Sequence, residues 1–358
     1  MHRRPSRDLR ARAAAVAPAL ERRQRAVARR VGLPSRAPRG RPPGRAVHHA
    51  RARGSATGGI GPGAESSGRS ESGAGRRSDG TLAPLARPLR SDLSAMETAR
   101  ILIGTSGFSY RDWVGPFYPP GMKPQEFLPF YARHFGALEV NTTYYGIPKP
   151  DVMARMAERT PDDFRFVVKL HQSMTHENSL DPVSVEEFRD AIEPLKRSGK
   201  YDGLLAQFPW AFQRTEENRR FLATLRKRLA AEPLFVEFRH DSWMVPELQR
   251  SLRDYGIGYC AVDEPRLRHL VPPVALMTTQ DAYVRFHGRN ADRWFSGGHD
   301  RYDYDYRREE LEEWIGKIRE LADRARRVYL FFNNCPAGQA ARSAKLMQEL
   351  LRQHRLPM

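Results

Sequence analysis

The sequence predicts a (β/α)8 TIM barrel preceded by a disordered, Arg/Ala/Gly/Pro-rich basic segment. Three observations carry that prediction. From Met96 onward, eight short apolar, β-branched or aromatic runs alternate with stretches whose apolar residues recur at three- and four-residue spacing. The alternation occupies the 263 residues from Met96 to Met358, close to the roughly 250 typical of an eightfold barrel. No G-x-G-x-x-G follows any of the runs, which disfavours a doubly wound sheet.

In chain order, the first strand is Ile101–Gly104, closed by the turn signals Ser106 and Gly107. Pro124–Phe135 reads as a helix because Pro124 supplies the fixed φ of a first helical position. Strand Ala137–Asn141 is followed by helix Pro150–Arg159, and strand Phe164–His171 by helix Val183–Arg197. Strand Gly203–Phe208 precedes helix Glu216–Ala231, and strand Leu234–Arg239 precedes helix Pro246–Tyr255. Strand Gly258–Asp263 runs into Glu264–Gln280, a link with poor helical periodicity. Strand Ala282–His287, the long loop Gly288–Tyr306 and helix Arg307–Arg326 come next; strand Arg327–Asn333 and helix Gly338–Arg352 complete the pattern.

Alternate strand positions separate by chemistry. Val140, Val168, Val236, Phe238, Val284 and Phe286 are apolar and are assigned to the outer, helix-covered face. Their neighbours are polar and are assigned to the barrel interior. Glu139, Lys169, Glu237 and Arg285 form a lower layer, and Asn141, His171, Arg239 and His287 a layer nearer the C-terminal mouth. Asp263 and Asn333 fall at the ends of strands six and eight. An ordinary barrel packs Val, Ile and Leu in such layers, and active sites of this fold lie at the strand C-termini. Burying ions costs several kcal/mol each, so the polar layers point to function, although a charge-balanced internal network would also account for the lower one.

Three chemistries fit these residues. Glu139 and Glu237 could act as a hydrolytic carboxylate pair, but Lys169 and Arg285 beside them would depress both pKa values, which is wrong for a general acid. A divalent metal, the one cofactor the residue types admit, could take Glu139, His171, Glu237, Asp263 and His287 as ligands, against the repulsion of Lys169, Arg239 and Arg285. An anionic small molecule could be clamped by Lys169, Arg239 and Arg285 while His171 or His287 moves protons. The charge census favours the anionic ligand, so the expected function is an enzyme, hydrolase- or isomerase-like, acting on an anionic or sugar-phosphate-like compound. Its catalytic residues would be Glu139, Lys169, His171, Glu237 and His287. Ser106 and Tyr110 after strand one, Asn141 and Tyr144 after strand two, His176 after strand three, Gln207 on strand four and Trp243 after strand five extend the ligand-binding set. Arg239, Asp263, Arg285 and Asn333 complete it. Loop Gly288–Tyr306, with Trp294, Phe295, Tyr302, Tyr304 and Tyr306, is either a lid or a surface loop packed on its own rings. The rival from another class is a non-catalytic nucleic-acid binder using these rings and the basic segment.

That basic segment is chemically separate from the rest. Of the formal net charge of +18, residues 1–95 hold +15 and residues 96–358 hold +3. Arg, Ala, Gly and Pro make up 60 of the first 95 residues, and all 35 aromatics lie beyond them. Such a segment cannot bury enough apolar surface to offset its ordering entropy. Three readings of it stay open: translated sequence upstream of a start at Met96, an organelle-targeting presequence, or a nucleic-acid-binding arm. No stretch approaches the ~18 continuous apolar residues of a membrane helix. Cys260 and Cys335 provide neither a disulfide framework nor a four-ligand zinc site. A reduced, cytoplasmic protein without membrane contact is expected.

The motifs also resemble a known family. Gly104-Thr-Ser-Gly-Phe-Ser-Tyr-Arg-Asp-Trp113, Phe117-Tyr-Pro119, Glu139-Val-Asn141 and Tyr144-Tyr-Gly-Ile-Pro148 are similar to the YecE-like domain-of-unknown-function family. So are Phe166-Val-Val-Lys169, Thr175-His176, Gln207-Phe-Pro209, Val236-Glu-Phe-Arg-His240, Ser242-Trp243, Val284-Arg-Phe-His-Gly288 and Phe332-Asn-Asn334. The likeness spans roughly Ile101 to Leu351 and departs at Phe108, where the pattern often has Trp. It implies a (β/α)8 barrel and no established reaction.

Overall fold

Eight parallel strands pair in sequence order and the last returns to the first, closing the barrel. The computed structural model describes residues 99–296 and 298–358; the basic segment, with the expectations attached to it, lies outside the described residues. The strands are β1 (Arg100–Ser106), β2 (Ala137–Val140), β3 (Arg165–Lys169), β4 (Tyr201–Gln207), β5 (Leu234–Glu237), β6 (Ile257–Asp263), β7 (Asp281–Phe286) and β8 (Arg327–Phe332). Each matches a predicted run to within three residues at either end. Outside the ring lie α1 (Pro124–Ala132), α2 (Thr142–Tyr145), α3 (Pro150–Glu158), α4 (Gln172–Thr175) and α5 (Pro182–Arg197). They are followed by α6 (Glu216–Arg228), α7 (Leu248–Asp254), α8 (Arg308–Glu312), α9 (Ile315–Ala322) and α10 (Gln339–Gln353).

Local chemistry explains the helix ends. The Asp181 carboxylate accepts from the Ser184 backbone N–H at 2.9 Å, and Pro182 opens α5 behind it. Thr215 caps α6 in the same way at 3.1 Å, with Glu216 and Glu217 in the first turn and Arg226, Lys227 and Arg228 in the last, complementing the helix dipole. Two expectations change. The single helix Arg307–Arg326 is divided into α8 and α9 around Trp314, whose fully buried indole donates to Asp263 at 2.7 Å. The one-turn helices α2 and α4 carry no periodic signal in so short a span.

The interior has two storeys. Leu102, Ala137, Val167, Leu205, Phe235, Cys260, Tyr283, Tyr329 and Phe331 form a buried apolar cluster inside the ring. Polar residues of the next storey follow one of these by two positions, as Glu139 follows Ala137 and Lys169 follows Val167, or by four, as Arg239 follows Phe235. Strand alternation therefore aims both at the barrel axis. The predicted outward set, Val140, Val168, Val236, Phe238, Val284 and Phe286, is buried in the larger core between barrel and helices. Among the described residues, no helix is long and apolar enough to cross a membrane.

Candidate active site at the barrel mouth

The upper storey is organised around one guanidinium. One terminal nitrogen of Arg285 donates to Glu139 at 2.7 Å and to the Ser106 hydroxyl at 3.3 Å; the other donates to Glu237 at 2.6 Å. All four residues are buried, and the Tyr283 hydroxyl adds a 2.7 Å bond to the other Glu139 oxygen. A second guanidinium sits above it. Arg239 donates through Nε to Glu237 and through one terminal nitrogen to Glu264 at 3.1 Å, while its other terminal nitrogen lies 3.1 Å from His287 Nε2, which is also 3.3 Å from Glu237 Oε1. Burial alone would raise the Glu237 pKa, but Arg239 and Arg285 hold it well below the carboxylate range. Glu264 goes the other way: burial pushes its carboxyl up to about 8 despite Arg239. His287, fully buried and next to Arg239, is pushed down to about 3 and is a neutral imidazole at physiological pH, with the Asn333 amide 3.1 Å from its Nδ1.

Lys169 differs from these groups. Its ammonium donates to Gln207 Oε1 at 2.8 Å and lies 4.2 Å from the centroid of the Tyr144 ring, yet it makes no ion pair among the described residues. The side chain is half-buried. Burial, and then the positive charge of Arg285, pulls its pKa down to about 7. Gln207 is itself held, because its amide nitrogen donates to the Phe208 carbonyl at 2.7 Å. Tyr144 is delivered by the turn after β2. The Thr143 hydroxyl donates to the carbonyl of Lys169 at 2.6 Å, locking α2 onto β3 and laying the ring beside the amine.

The rim is assembled from loops. The exposed His176 packs edge-on against Tyr144 at 5.0 Å. The half-buried Asn141 directs a buried Oδ1 with no hydrogen-bond partner among the described residues. From the long loop, Trp294 lies over Arg239 at 5.7 Å, and Tyr302 lies 6.1 Å from His287. Arg301 places its guanidinium 5.5 Å from the Tyr302 ring and makes no ion pair among the described residues. The same loop also packs into the shell, since the Tyr306 hydroxyl donates to Asp263 at 2.6 Å and that of Tyr304 to Glu310 at 2.5 Å. One half of it covers the mouth and the other is structural.

Residues 102–358 match the family described as "Protein of unknown function DUF72". The chain belongs to the DUF72 family. It is 32% identical over 269 residues to UPF0759 protein YunF of Bacillus subtilis, covering 70% of this chain and 94% of YunF. It is 28% identical over 250 residues to UPF0759 protein YecE of Escherichia coli K12, covering 62% of this chain and 84% of YecE. A crystal structure of a DUF72 family protein from Thermotoga maritima matches with 42% identity and a TM-score of 0.66, over 71% of this chain and 99% of that one. A DUF72 family protein from Enterococcus faecalis matches with 28% identity and a TM-score of 0.61, over 71% and 98%.

In this DUF72 barrel, Ser106, Glu139, Lys169, Gln207, Glu237, Arg239, Arg285, His287 and Asn333 converge on the upper storey, with Asn141, Tyr144 and His176 on the β2–β3 side of the rim. Four other predicted residues have different work. Asp263 points outward, its carboxylate taken by Trp314, Tyr306 and Arg289. Trp243 is buried between Phe238 and Phe212, with centroids at 4.1 and 5.5 Å, and its indole donates to the Phe212 carbonyl. His171 caps α4 by accepting from the Ser173 N–H at 3.3 Å. Tyr110 braces the turn after β1 through a 2.8 Å bond to the Ser106 carbonyl; Gly107 there has φ +95, and a Cβ would lie 2.5 Å from that hydroxyl. The five metal-ligand candidates do not meet, because the Arg285 guanidinium stands between Glu139 and Glu237 while Asp263 and His171 face elsewhere. The three-cation clamp is likewise reduced. Arg239 and Arg285 are committed to carboxylates, which leaves the Lys169 amine for a ligand. Sequence reasoning missed Glu264, Tyr283 and Arg301. The first was within reach, since Glu264 has the inward parity of Cys260 and Asp263 does not.

Proposed function

We propose that this DUF72 barrel is an enzyme that uses Lys169 to act on a small anionic, sugar-phosphate-like ligand entering at the C-terminal mouth. The observation that carries the reading is the Lys169 amine itself: half-buried, unpaired with any described carboxylate, and poised near neutrality. An amine in that state can remove a proton beside a carbonyl. It can also add to the carbonyl carbon and expel water to give a Schiff base. Isomerase-like proton transfer fits better than two-carboxylate hydrolysis, because Glu237 is held ionised between two guanidiniums and cannot serve as a general acid. Arg301 on the covering loop offers a second cation for the ligand's anionic group.

Pyridoxal 5′-phosphate, an aldehyde carrying a phosphate, is a direct probe. At pH 7 followed by borohydride reduction, the label is expected mainly on Lys169 by peptide mass spectrometry, with inorganic phosphate protecting. Lys169→Met should abolish that adduct, and Arg301→Ala should weaken the protection. Labelling confined to surface lysines such as Lys123, with Lys169 untouched, would sink the reading.

A further inference from the structure

We propose that His240, Asp241 and His269 form a binding site for a divalent transition-metal ion on the rim beside the mouth. The inference does not depend on the role of Lys169. One ligand atom from each residue falls within 4.8 Å of the other two. Asp241 stands between the imidazoles, with Oδ1 3.2 Å from His240 Nδ1 and Oδ2 3.4 Å from His269 Nδ1. Around an ion with bonds of about 2.0–2.2 Å, neighbouring ligand atoms are spaced ~2.9–3.5 Å apart. Each imidazole lies at that spacing from one oxygen of the carboxylate, and a small inward shift of the two rings would bring the set, now within 4.8 Å, onto one cation.

The proton arrangement points the same way. His240 Nδ1 accepts the Ser242 backbone N–H at 3.0 Å, so its lone pair is in use and it carries no hydrogen toward Asp241. Nitrogen and carboxylate oxygen therefore face each other as two acceptors, and no hydrogen bond joins them among the described residues. A cation between them removes that conflict, in competition with the Ser242 bond. The second imidazole is held in place by its backbone. The His269 carbonyl accepts from the Trp210 indole at 3.1 Å and from the Asp241 N–H at 3.4 Å, and His269 adopts φ +65, unusual for a residue with a side chain. His240 is buried, whereas the side chains of Asp241 and His269 are 41% and 45% exposed, so an ion would keep open positions toward solvent. Two imidazoles and one carboxylate favour Zn²⁺, Co²⁺ or Ni²⁺ over Ca²⁺ and Mg²⁺.

The test is titration of the chelator-stripped full chain with Co²⁺, followed by visible absorption, and with Zn²⁺, followed by calorimetry. One equivalent is expected to bind, with a ligand-field band that Ca²⁺ does not displace. Asp241→Asn and His269→Asn should each weaken binding at least roughly tenfold, since even outer partners of a metal site are worth that much. Asn tolerates the left-handed backbone at position 269, and both sites are open enough for the variants to fold. If either variant fails to give a native circular dichroism spectrum, the other decides. Absence of a saturable equivalent, or binding that survives the substitutions because His48 and His49 carry it, overturns the proposal.

Discussion

On the β5–β7 side of the mouth, the guanidiniums of Arg239 and Arg285 are paired with Glu237 and Glu139, and Arg239 also donates to Glu264. On the β2–β4 side, the Lys169 amine meets the Gln207 amide oxygen and the face of Tyr144 and no carboxylate among the described residues. Both sides hold cations withdrawn from bulk water, on the strands of one ring. On the first, the field of each charge is spent inside the protein and fixes geometry. On the second, the cost of burying a charge is left partly uncompensated and appears as a depressed pKa. On the proposed reading, the saturated side is the scaffold and the unmatched group near neutrality the reagent.

The comparison can be broken most directly at its saturated side. Arg285→Met leaves Glu139 and Glu237 buried without their shared partner, and a loss of about 3–5 kcal/mol in urea-unfolding stability is expected. A loss below about 1 kcal/mol would mean the network is not structural. A sharper contrast comes from pH. Glu264 titrates higher folded, at about 8, than unfolded, at about 4.3, so the stability it contributes is present at low pH and disappears as pH rises across that window. Lys169 titrates lower folded, at about 7, than unfolded, at about 10.4, so stability should rise with pH between those values. Difference curves against Glu264→Gln and Lys169→Met should therefore slope in opposite directions, and two parallel curves would refute the distinction. The smallest effect is expected away from both sides. Trp243→Phe leaves the Phe212 carbonyl unpaired, costs about 1–2 kcal/mol and leaves labelling of Lys169 unchanged, as befits a residue in the shell.

Much of this was legible in the residues. The eight strands announced themselves by apolar runs, and the two-residue period sorted Glu139, Lys169, Glu237 and Arg285 from the valines beside them. Legibility ended where the period does. Asp263 and Glu264 are adjacent acids at a strand end, and only counting from Cys260 tells which one turns inward. His171 sits two residues beyond β3 and Trp243 six beyond β5, where short turns re-aim the side chains. Arg301 lies in a loop with no period at all. The division of charge between Arg285 and Lys169 was also hidden, because composition shows which ions are present and only distance shows which of them are paired.

The apolar lower storey of the barrel has a transport consequence. Nine buried side chains fill the ring beneath the polar storey, so the described interior away from the mouth is packed mainly with apolar groups. On the mouth side, the rings of Trp294 and Tyr302 lie over Arg239 and beside His287. For the reaction proposed at Lys169, the stretch of chain bearing these rings would be the gate.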